Sequence, residues 1–263
     1  MRASSRRALG WWLVALAVLL MAGAWLAFDP GFGWRGPTSK ILAEMSQDEF
    51  DRRVHDYVMA HPEVIMDSVN QREARAREKA ETDVQKVLQA RAAEVFRDPD
   101  SPTGGNPNGD VTLVEFFDYN CPYCRQVAPL VTKAEDADSQ LRVVYKEFPI
   151  LGPNSAFAAK AALAAHKQGK YVEFHRALYQ LRGAVDQSKA MEVAAAVGLD
   201  VVRLKTDMED SKIQASIQKN LALAQVLRIN GTPGFVIGDQ ILRGATDLNT
   251  LQALIRTARE HRQ

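Results

Sequence analysis

Cysteine is scarce in this sequence. Cys121 and Cys124 are the only two cysteines among 263 residues. Structural zinc prefers four ligands, and the five histidines show no ligand spacing with this pair, so the scarcity argues against a zinc site. A passive structural disulfide is also disfavoured, because a ring closed between residues three positions apart constrains little entropy of the unfolded chain. The pair therefore needs another explanation.

An excess of either charge is also missing. Lys and Arg total 33 and Asp and Glu total 32. A protein that binds a nucleic-acid backbone needs a basic surplus, so the balance excludes nucleic acid as the main partner. The apolar content of 46% is ordinary for a globular protein that carries one membrane segment.

The start of the chain contains one long apolar run. Residues 8–28 include no charged residue, and three arginines precede them. About 20 residues of helix span a bilayer, and the positive flank stays cytoplasmic. A cleaved signal is the alternative, with AGA at 22–24 resembling a cleavage site. The length of the run and the flanking Trp25 and Trp34 favour an inner-membrane anchor over 1–28 that leaves the protein facing the periplasm, rather than soluble in it.

The next part of the chain predicts a linker and then helices. Glycine and proline mark residues 29–45 as a linker, and residues 46–96 predict a helical stalk. Residues 72–86 are charged nearly all round, which is typical of a helix that bridges solvent or pairs with other chains. Val84, Leu88 and Val95 hold a partial heptad-like spacing. The stalk is therefore either a homo-oligomer interface or a solvated spacer.

The chain from residue 97 to residue 263 predicts one α/β domain. A breaker-rich segment opens it, and a short strand could precede residue 111. The predicted elements, in order, are a strand at 111–117, a helix after the cysteines, a strand at 141–150, several helices over about 154–229, a hairpin at 234–244 and a helix at 247–261.

The cysteine pair lies where the first of these strands meets a helix. Pro122 suits the first position of that helix. Cys121 would then lie at the helix N-terminus, where free N–H groups and the helix dipole favour a thiolate. Cys124 lies three residues on, on the same face, and we expect it to be the more buried thiol. The spacing predicts redox chemistry, in which Cys121 is the nucleophile and Cys124 resolves the mixed disulfide. Two thiolates could instead bind Cu(I).

Two segments together resemble the DsbA family of thiol:disulfide oxidoreductases, which have a thioredoxin fold with a helical insertion. One is GDVTLVEFFDYNCPYCRQVAP at 109–129, and the other is RINGTPGFVIGD at 228–239. The resemblance implies that Pro233 is a cis-proline facing the disulfide, and that Thr232 and Pro233 shape the substrate groove. It implies no cofactor beyond the redox-active disulfide itself.

Other residues near the cysteines have expected roles. Pro122 and Tyr123 would support the active site. Glu115 occupies the position where the family has a buried acid, which could carry protons for the resolving thiol. An ion pair between Glu115 and Lys146 is the alternative. We expect Asp118 to be a surface charge near the site.

Two details point to a branch of the family. Threonine before the cis-proline resembles the disulfide isomerases and ScsC-like proteins. Residues 54–75 resemble the N-terminal helical region of ScsC-like proteins, which forms trimers in some members. We therefore expect disulfide exchange with exported proteins and with a membrane redox partner. An oxidase is favoured, and the alternatives are an oligomeric isomerase or reductase and a Cu(I)-binding protein.

Overall fold

The computed structural model describes residues 45–261. The chain divides into two compact units, Met1–Glu73 and Ala74–Gln263. The predicted anchor at 1–28 lies outside the described residues, as does nearly all of the predicted linker. Within the described part of the chain, no helix is both long and apolar enough to cross a membrane.

The described part of the first unit is helical. Helix α1 covers Gln47–Ala60, and helix α2, Pro62–Ala90, begins in this unit and continues into the second. The Ser46 hydroxyl accepts the Glu49 N–H at 3.3 Å, which caps α1. No residue of α1 is buried, and its apolar residues Phe50, Val54, Tyr57 and Met59 are exposed.

The C-terminal part of the predicted stalk belongs to the second unit. The stalk was expected to end at residue 96, whereas the units divide between Glu73 and Ala74. Three apolar residues of this segment, which includes helix α3 at Ala92–Phe96, are buried: Val84, Leu88 and Val95. The last two join a core cluster with strand residues of the second unit. The apolar residues at the heptad-like spacing therefore pack against the sheet. The division into stalk and catalytic domain remains a proposal.

The second unit is built on a five-stranded sheet. Its order is β1-β3-β2-β4-β5, in which β2 and β3 are parallel and every other neighbouring pair is antiparallel. The strands are β1 Thr103–Gly105, β2 Val111–Phe117, β3 Leu141–Glu147, β4 Gly234–Ile237 and β5 Gln240–Arg243. The predicted early strand and the hairpin are both confirmed.

Helices cover both faces of this sheet. Helix α4, Pro122–Ala137, follows β2, and α10, Leu248–Glu260, ends the described chain. Five helices lie between β3 and β4, which confirms the predicted helical stretch: α5 Pro153–Lys167, α6 Tyr171–Gln180, α7 Gln187–Ala196, α8 Val201–Met208 and α9 Ser211–Val226. The α/β class expected from the sequence is therefore correct.

Alternating residues of the central strands enter two different cores. Leu113 and Phe117 point into the larger core, whereas Val114 and Phe116 point into the smaller one. Paired residues of parallel strands share a face. The register pairs Glu115 with Tyr145 and Phe116 with Lys146, so Glu115 and Lys146 lie on opposite faces of the sheet.

Lys146 forms a fully buried ion pair with Asp98 within a larger ionic cluster. Its ammonium group contacts the Asp98 carboxylate at 3.1 Å, and neither side chain is exposed to solvent. Lys219 reaches the second oxygen of Asp98 at 3.0 Å and is partly exposed. Lys146 also donates to the Ser101 hydroxyl and the Glu94 carbonyl, each at 2.8 Å. The cluster ties the segment before β1 to the sheet.

Replacing Lys146 with methionine should destabilise the fold strongly. The change leaves the Asp98 carboxylate buried without its buried partner, and such losses cost about 3 kcal/mol or more. Urea unfolding would measure the change in the free energy of unfolding. The matched control is Lys219→Met, which removes the partly exposed partner of the same carboxylate and should cost less than about 1 kcal/mol. Equal costs for the two variants would contradict this account.

Candidate active site

Cys121 and Cys124 lie at the start of α4, as predicted. Cys121 is the residue that caps the helix, and Pro122 occupies the first helical turn. The Cys124 N–H donates to the Cys121 sulfur at 3.4 Å. Helix N-termini expose free N–H groups and the positive end of the dipole, so this geometry stabilises negative charge on the Cys121 sulfur.

The two thiols differ in their surroundings. Both are free thiols, with Cys121 4% exposed and Cys124 not exposed at all, which confirms that Cys124 is the more buried. Burial raises the pKa of the Cys124 thiol far above its ordinary value, and the charges of Glu115 and Cys121 raise it further. Hydrogen bonds from the Asp118 backbone and the Thr232 side chain act in the opposite direction. Cys124 is therefore protonated at neutral pH.

The loop that carries Pro233 faces the cysteine pair. The Thr232–Pro233 peptide bond is cis, as the resemblance implied. The Cys121 thiol donates to the Thr232 carbonyl at 3.3 Å, although 111 positions separate the two residues in the sequence. The Pro233 carbonyl accepts the Gly244 N–H at 2.8 Å, which joins the loop to the end of β5. The structure thus brings the two segments of the resemblance together.

Glu115 is a buried acid behind the cysteines. It is fully buried, and neither carboxyl oxygen has a hydrogen-bond partner within the described residues. Burial raises the pKa of Glu115 to about 8. The alternative expectation, an ion pair with Lys146, is wrong because the strand register puts Lys146 on the other face of the sheet, where it binds Asp98.

Asp118 is not the surface charge that its position suggested. Only 1% of the residue is exposed. Its carboxylate accepts the N–H groups of Asn120, Ile150 and Leu151 at 2.8 to 2.9 Å. Sequence reasoning missed this arrangement because two of the three donors come from a segment more than 30 residues away.

Two side chains next to the cysteines attach the helical insertion to the site. Asn120 exchanges two hydrogen bonds with the Val185 backbone, at 2.7 and 3.1 Å. The Arg125 guanidinium donates to four backbone carbonyls at 2.6 to 3.2 Å, namely those of Tyr119, Tyr179, Leu181 and Gly183. A guanidinium carries five N–H donors in a rigid fork, so Arg125 can hold several segments at once.

A polar cluster is buried around the Tyr119 hydroxyl. The Tyr119 hydroxyl donates to the Glu147 carboxyl at 3.1 Å and lies 3.1 Å from His175 Nδ1, and Tyr171 donates to the same carboxyl at 2.7 Å. Burial raises the pKa of Glu147 and lowers that of His175 to about 3, which keeps the ring neutral. No sequence pattern grouped these residues, because they come from three separate elements.

The outer side of the site is open to solvent. Tyr123 is 61% exposed, and Pro122 is exposed beside it. Ile150 and Leu151 also expose much of their apolar side chains. Within residues 45–261, no group of three or more histidine, cysteine, aspartate or glutamate side chains could hold a metal ion. The site thus contains one slightly exposed thiol, one fully buried thiol and a buried acid.

Comparison with known proteins identifies the family. Residues 112–256, more than half of the chain, match the DSBA-like thioredoxin domain. The chain belongs to the DsbA-like thioredoxin family. Residues 46–79 match the N-terminal domain of the copper resistance protein ScsC, so this DsbA-like chain is also ScsC-like. Both parts of the resemblance drawn from the sequence are confirmed.

Two solved structures agree with this assignment. A thioredoxin-like oxidoreductase from Silicibacter pomeroyi DSS-3 is 48% identical, with a TM-score of 0.63 over 64% of this chain and 97% of that one. The catalytic domain of Proteus mirabilis ScsC is 30% identical, with a TM-score of 0.62 over 67% of this chain and 98% of that one.

Curated relatives include both small and large proteins. The thiol:disulfide interchange protein DsbA from Bordetella parapertussis is 27% identical over 162 residues, which are 59% of this chain and 77% of that protein. A Na⁺/H⁺ antiporter NhaA from Salinispora arenicola is 29% identical over 164 residues, 61% of this chain and 25% of the antiporter. The chain spans about a quarter of the length of the first curated relatives that it matches.

Replacing Glu115 with glutamine should change how stability depends on pH. The folded pKa of about 8 lies above the ordinary value of 4.5, so the unfolded chain releases this proton at lower pH than the folded chain does. The wild type should therefore lose up to about 1.4 kcal/mol of stability per pH unit as the pH rises through this window. Glu115→Gln should remove that loss, making the variant the more stable protein at pH 8.

Urea unfolding of both proteins at several pH values between 4 and 9 would measure this difference. Glu209→Gln, which removes an exposed carboxyl, is the control. Parallel stability curves for the wild type and Glu115→Gln would show that Glu115 titrates alike in the folded and unfolded chains and would contradict the account.

Proposed function

We propose that this protein is an exported thiol:disulfide oxidoreductase, which exchanges disulfides with protein substrates through its CPYC site. One observation carries the proposal: the thiol at the start of α4 lies against the cis-proline loop, with a buried thiol and a buried acid behind it. The family and the comparison with DsbA and ScsC proteins support the same activity. Cys121 is the nucleophile, and Cys124 is the resolving thiol.

In the oxidase direction, a substrate thiolate attacks the Cys121 sulfur of the Cys121–Cys124 disulfide. The bond between the two cysteines breaks, and its electron pair leaves on Cys124. The raised pKa of Glu115 makes its carboxyl a proton donor to that thiolate at neutral pH. A second substrate thiolate then attacks the substrate sulfur of the mixed disulfide, and Cys121 leaves as a thiolate. The substrate loses two electrons and the protein gains them.

The same groups serve the reverse direction. Cys121 attacks a substrate disulfide, and Cys124, after losing its proton to the ionised Glu115, attacks Cys121 to release the substrate. Stabilising negative charge on Cys121 favours the reduced form and so favours a donor of disulfides. We therefore keep oxidase as the proposed direction and oligomeric isomerase or reductase as the alternative. The reduction potential of the pair distinguishes them.

The loop at Thr232 and Pro233 shapes the substrate groove. Proline carries no N–H, so the loop has no donor at this position for its own pairing, and an extended substrate segment can lie alongside it. The Thr232 carbonyl already contacts the Cys121 thiol, which puts such a segment next to the reacting sulfur. Exposed Tyr123 and Pro122 border the same position. Unfolded or incorrectly bridged exported proteins are the substrate class that fits.

The charge-free run at 8–28 supports export and an inner-membrane anchor, with a cleaved signal and a soluble periplasmic protein as the alternative. An anchored oxidase needs a membrane redox partner that regenerates its disulfide. Thiols tend to be oxidised outside the cytoplasm, which suits a protein with no cysteine beyond its active pair.

We also propose that the N-terminal helices form a homo-oligomer. No residue of helix α1 is buried within the described chain, and Phe50, Val54 and Tyr57 are exposed along one face of the helix. Exposed apolar faces of this kind mark association surfaces. The match of residues 46–79 to the ScsC N-terminal domain supports this assignment. Several active sites facing one substrate would suit an isomerase.

Trapping of substrate would test the proposed activity. Full-length protein carrying Cys124→Ser, supplied as its mixed disulfide with glutathione, should accumulate mixed disulfides with a reduced, unfolded substrate protein that has a single cysteine, because neither Cys124 nor a second substrate thiol is present to break the bond at Cys121. Cys121→Ser, the matched control, should accumulate none. Non-reducing electrophoresis and mass spectrometry would count the adducts. The copper content of the reduced wild type should be measured alongside. About one copper per chain together with no disulfide exchange would favour the Cu(I)-binding alternative.

An aspartate on the apolar face of α1 should break the oligomer. Val54→Asp puts a charge among Phe50 and Tyr57 and should yield monomers, whereas Met59→Asp should not, because Met59 lies about opposite on the helix and is likewise exposed. Light scattering on full-length protein in mild detergent would give the mass. A monomeric wild type, or equal effects of the two variants, would contradict the proposed interface.

A further inference from the structure

The carboxylate of Asp118 joins two segments of the site. One oxygen accepts the Asn120 N–H at 2.8 Å, within the turn that leads to Cys121. The other oxygen accepts the N–H groups of Ile150 and Leu151, both at 2.9 Å. No ion pair within residues 45–261 involves Asp118, so these three backbone donors compensate for burying its charge.

The backbone of the same residue contacts both cysteines. The Asp118 carbonyl accepts the Cys121 N–H at 3.1 Å. The Asp118 backbone also forms a hydrogen bond with the Cys124 sulfur, and this bond lowers the pKa of the thiol. A hydrogen bond lowers the pKa of a thiol when it is donated to the thiolate, so the Asp118 N–H is the donor. Asp118 therefore contacts the nucleophile through one backbone group and the resolving thiol through the other.

Because of these contacts, the Asp118 side chain fixes the conformation of the backbone around it. The turn at 118–120 contains no regular helix or strand, and the segment at 150–151 follows the end of β3. The carboxylate holds the turn by a hydrogen bond within it and two to the neighbouring segment. A change at the carboxylate would turn the Asp118 peptide group away from the Cys124 sulfur.

We infer that Asp118 is a positioning residue for the second step of disulfide exchange, in which Cys124 acts. Its carboxylate keeps the Asp118 N–H directed at the Cys124 sulfur, where negative charge develops when the thiol loses its proton before it attacks. The first step, at Cys121, depends on the N-terminus of α4 and does not require this donor. The inference rests on the proposed disulfide exchange and specifies how one of its steps is supported.

Oxidised glutathione separates the two steps. In the first, the Cys121 thiolate attacks glutathione disulfide, a mixed disulfide forms and one glutathione thiolate leaves. In the second, the Cys124 thiolate attacks Cys121, the internal disulfide forms and the second glutathione thiolate leaves. The protein loses two electrons and glutathione disulfide gains them. Acid quenching followed by mass spectrometry counts each species over time.

Asp118→Asn should slow the second step selectively. The asparagine side chain has the same shape, but its NH₂ group cannot accept a hydrogen bond, so at least one N–H loses its acceptor and the turn shifts. In full-length protein we expect resolution of the mixed disulfide to slow by about tenfold. Its formation should stay within about twofold of the wild type.

Asp200→Asn is the matched control. The Asp200 carboxylate likewise accepts two backbone N–H groups, at the start of α8, and its change should leave both steps unchanged. A second step of wild-type rate in Asp118→Asn, or equal slowing of both steps, would overturn the inference. Failure of the wild type to react with oxidised glutathione would instead contradict the proposed function itself.

A measurement on the wild type covers the case in which Asp118→Asn does not fold. Amide hydrogen exchange of the reduced protein should find the N–H groups of Ile150 and Leu151 protected to a degree comparable with those of β3. Exchange at the rate of exposed loop amides would mean that the carboxylate does not hold this segment, and the inference would fail.

Discussion

The parallel pairing of β2 with β3 is the constraint on which the site depends. Parallel strands end at the same edge of a sheet, so the turn after β2 and the segment after β3 meet there. This meeting lets one carboxylate, that of Asp118, accept N–H groups from both segments. The same register puts Glu115 on the face of the larger core and leaves Lys146 on the other face, bound to Asp98.

The two thiols have different surroundings, and these support the different tasks that we propose for them. The Cys121 sulfur caps α4 by accepting the Cys124 N–H, and the Cys121 thiol donates to the Thr232 carbonyl. Cys124 is fully buried, and its pKa is raised by burial and by the neighbouring Glu115 charge. A nucleophile needs a stabilised thiolate, whereas a resolving thiol must ionise only for its attack on the mixed disulfide. The buried carboxyl, with its pKa raised to about 8, can exchange a proton with it near neutral pH.

The local pattern predicted the elements well and their partners poorly. The strand at Val111–Phe117, the hairpin around Gly238 and the helices between β3 and β4 follow from apolar runs and turn residues that act over a few positions. The role of Leu88 and Val95 did not follow. Their spacing indicated a stalk, but the same apolar side chains cover a sheet, because spacing specifies a face and not what packs against it.

Sequence alone determined the chemistry available to this protein: two thiols three residues apart at the start of a helix, and a Thr-Pro loop whose resemblance implied where it would lie. Short-range geometry suffices for the first, since a helix N-terminus positions its own cap. Only the tertiary structure decided that Asp118 is buried, that Glu115 has no ionic partner among residues 45–261 and that Arg125 holds the insertion. Each of these depends on groups that lie more than 30 residues apart in the chain, or on the face of a sheet, which neither composition nor spacing specifies.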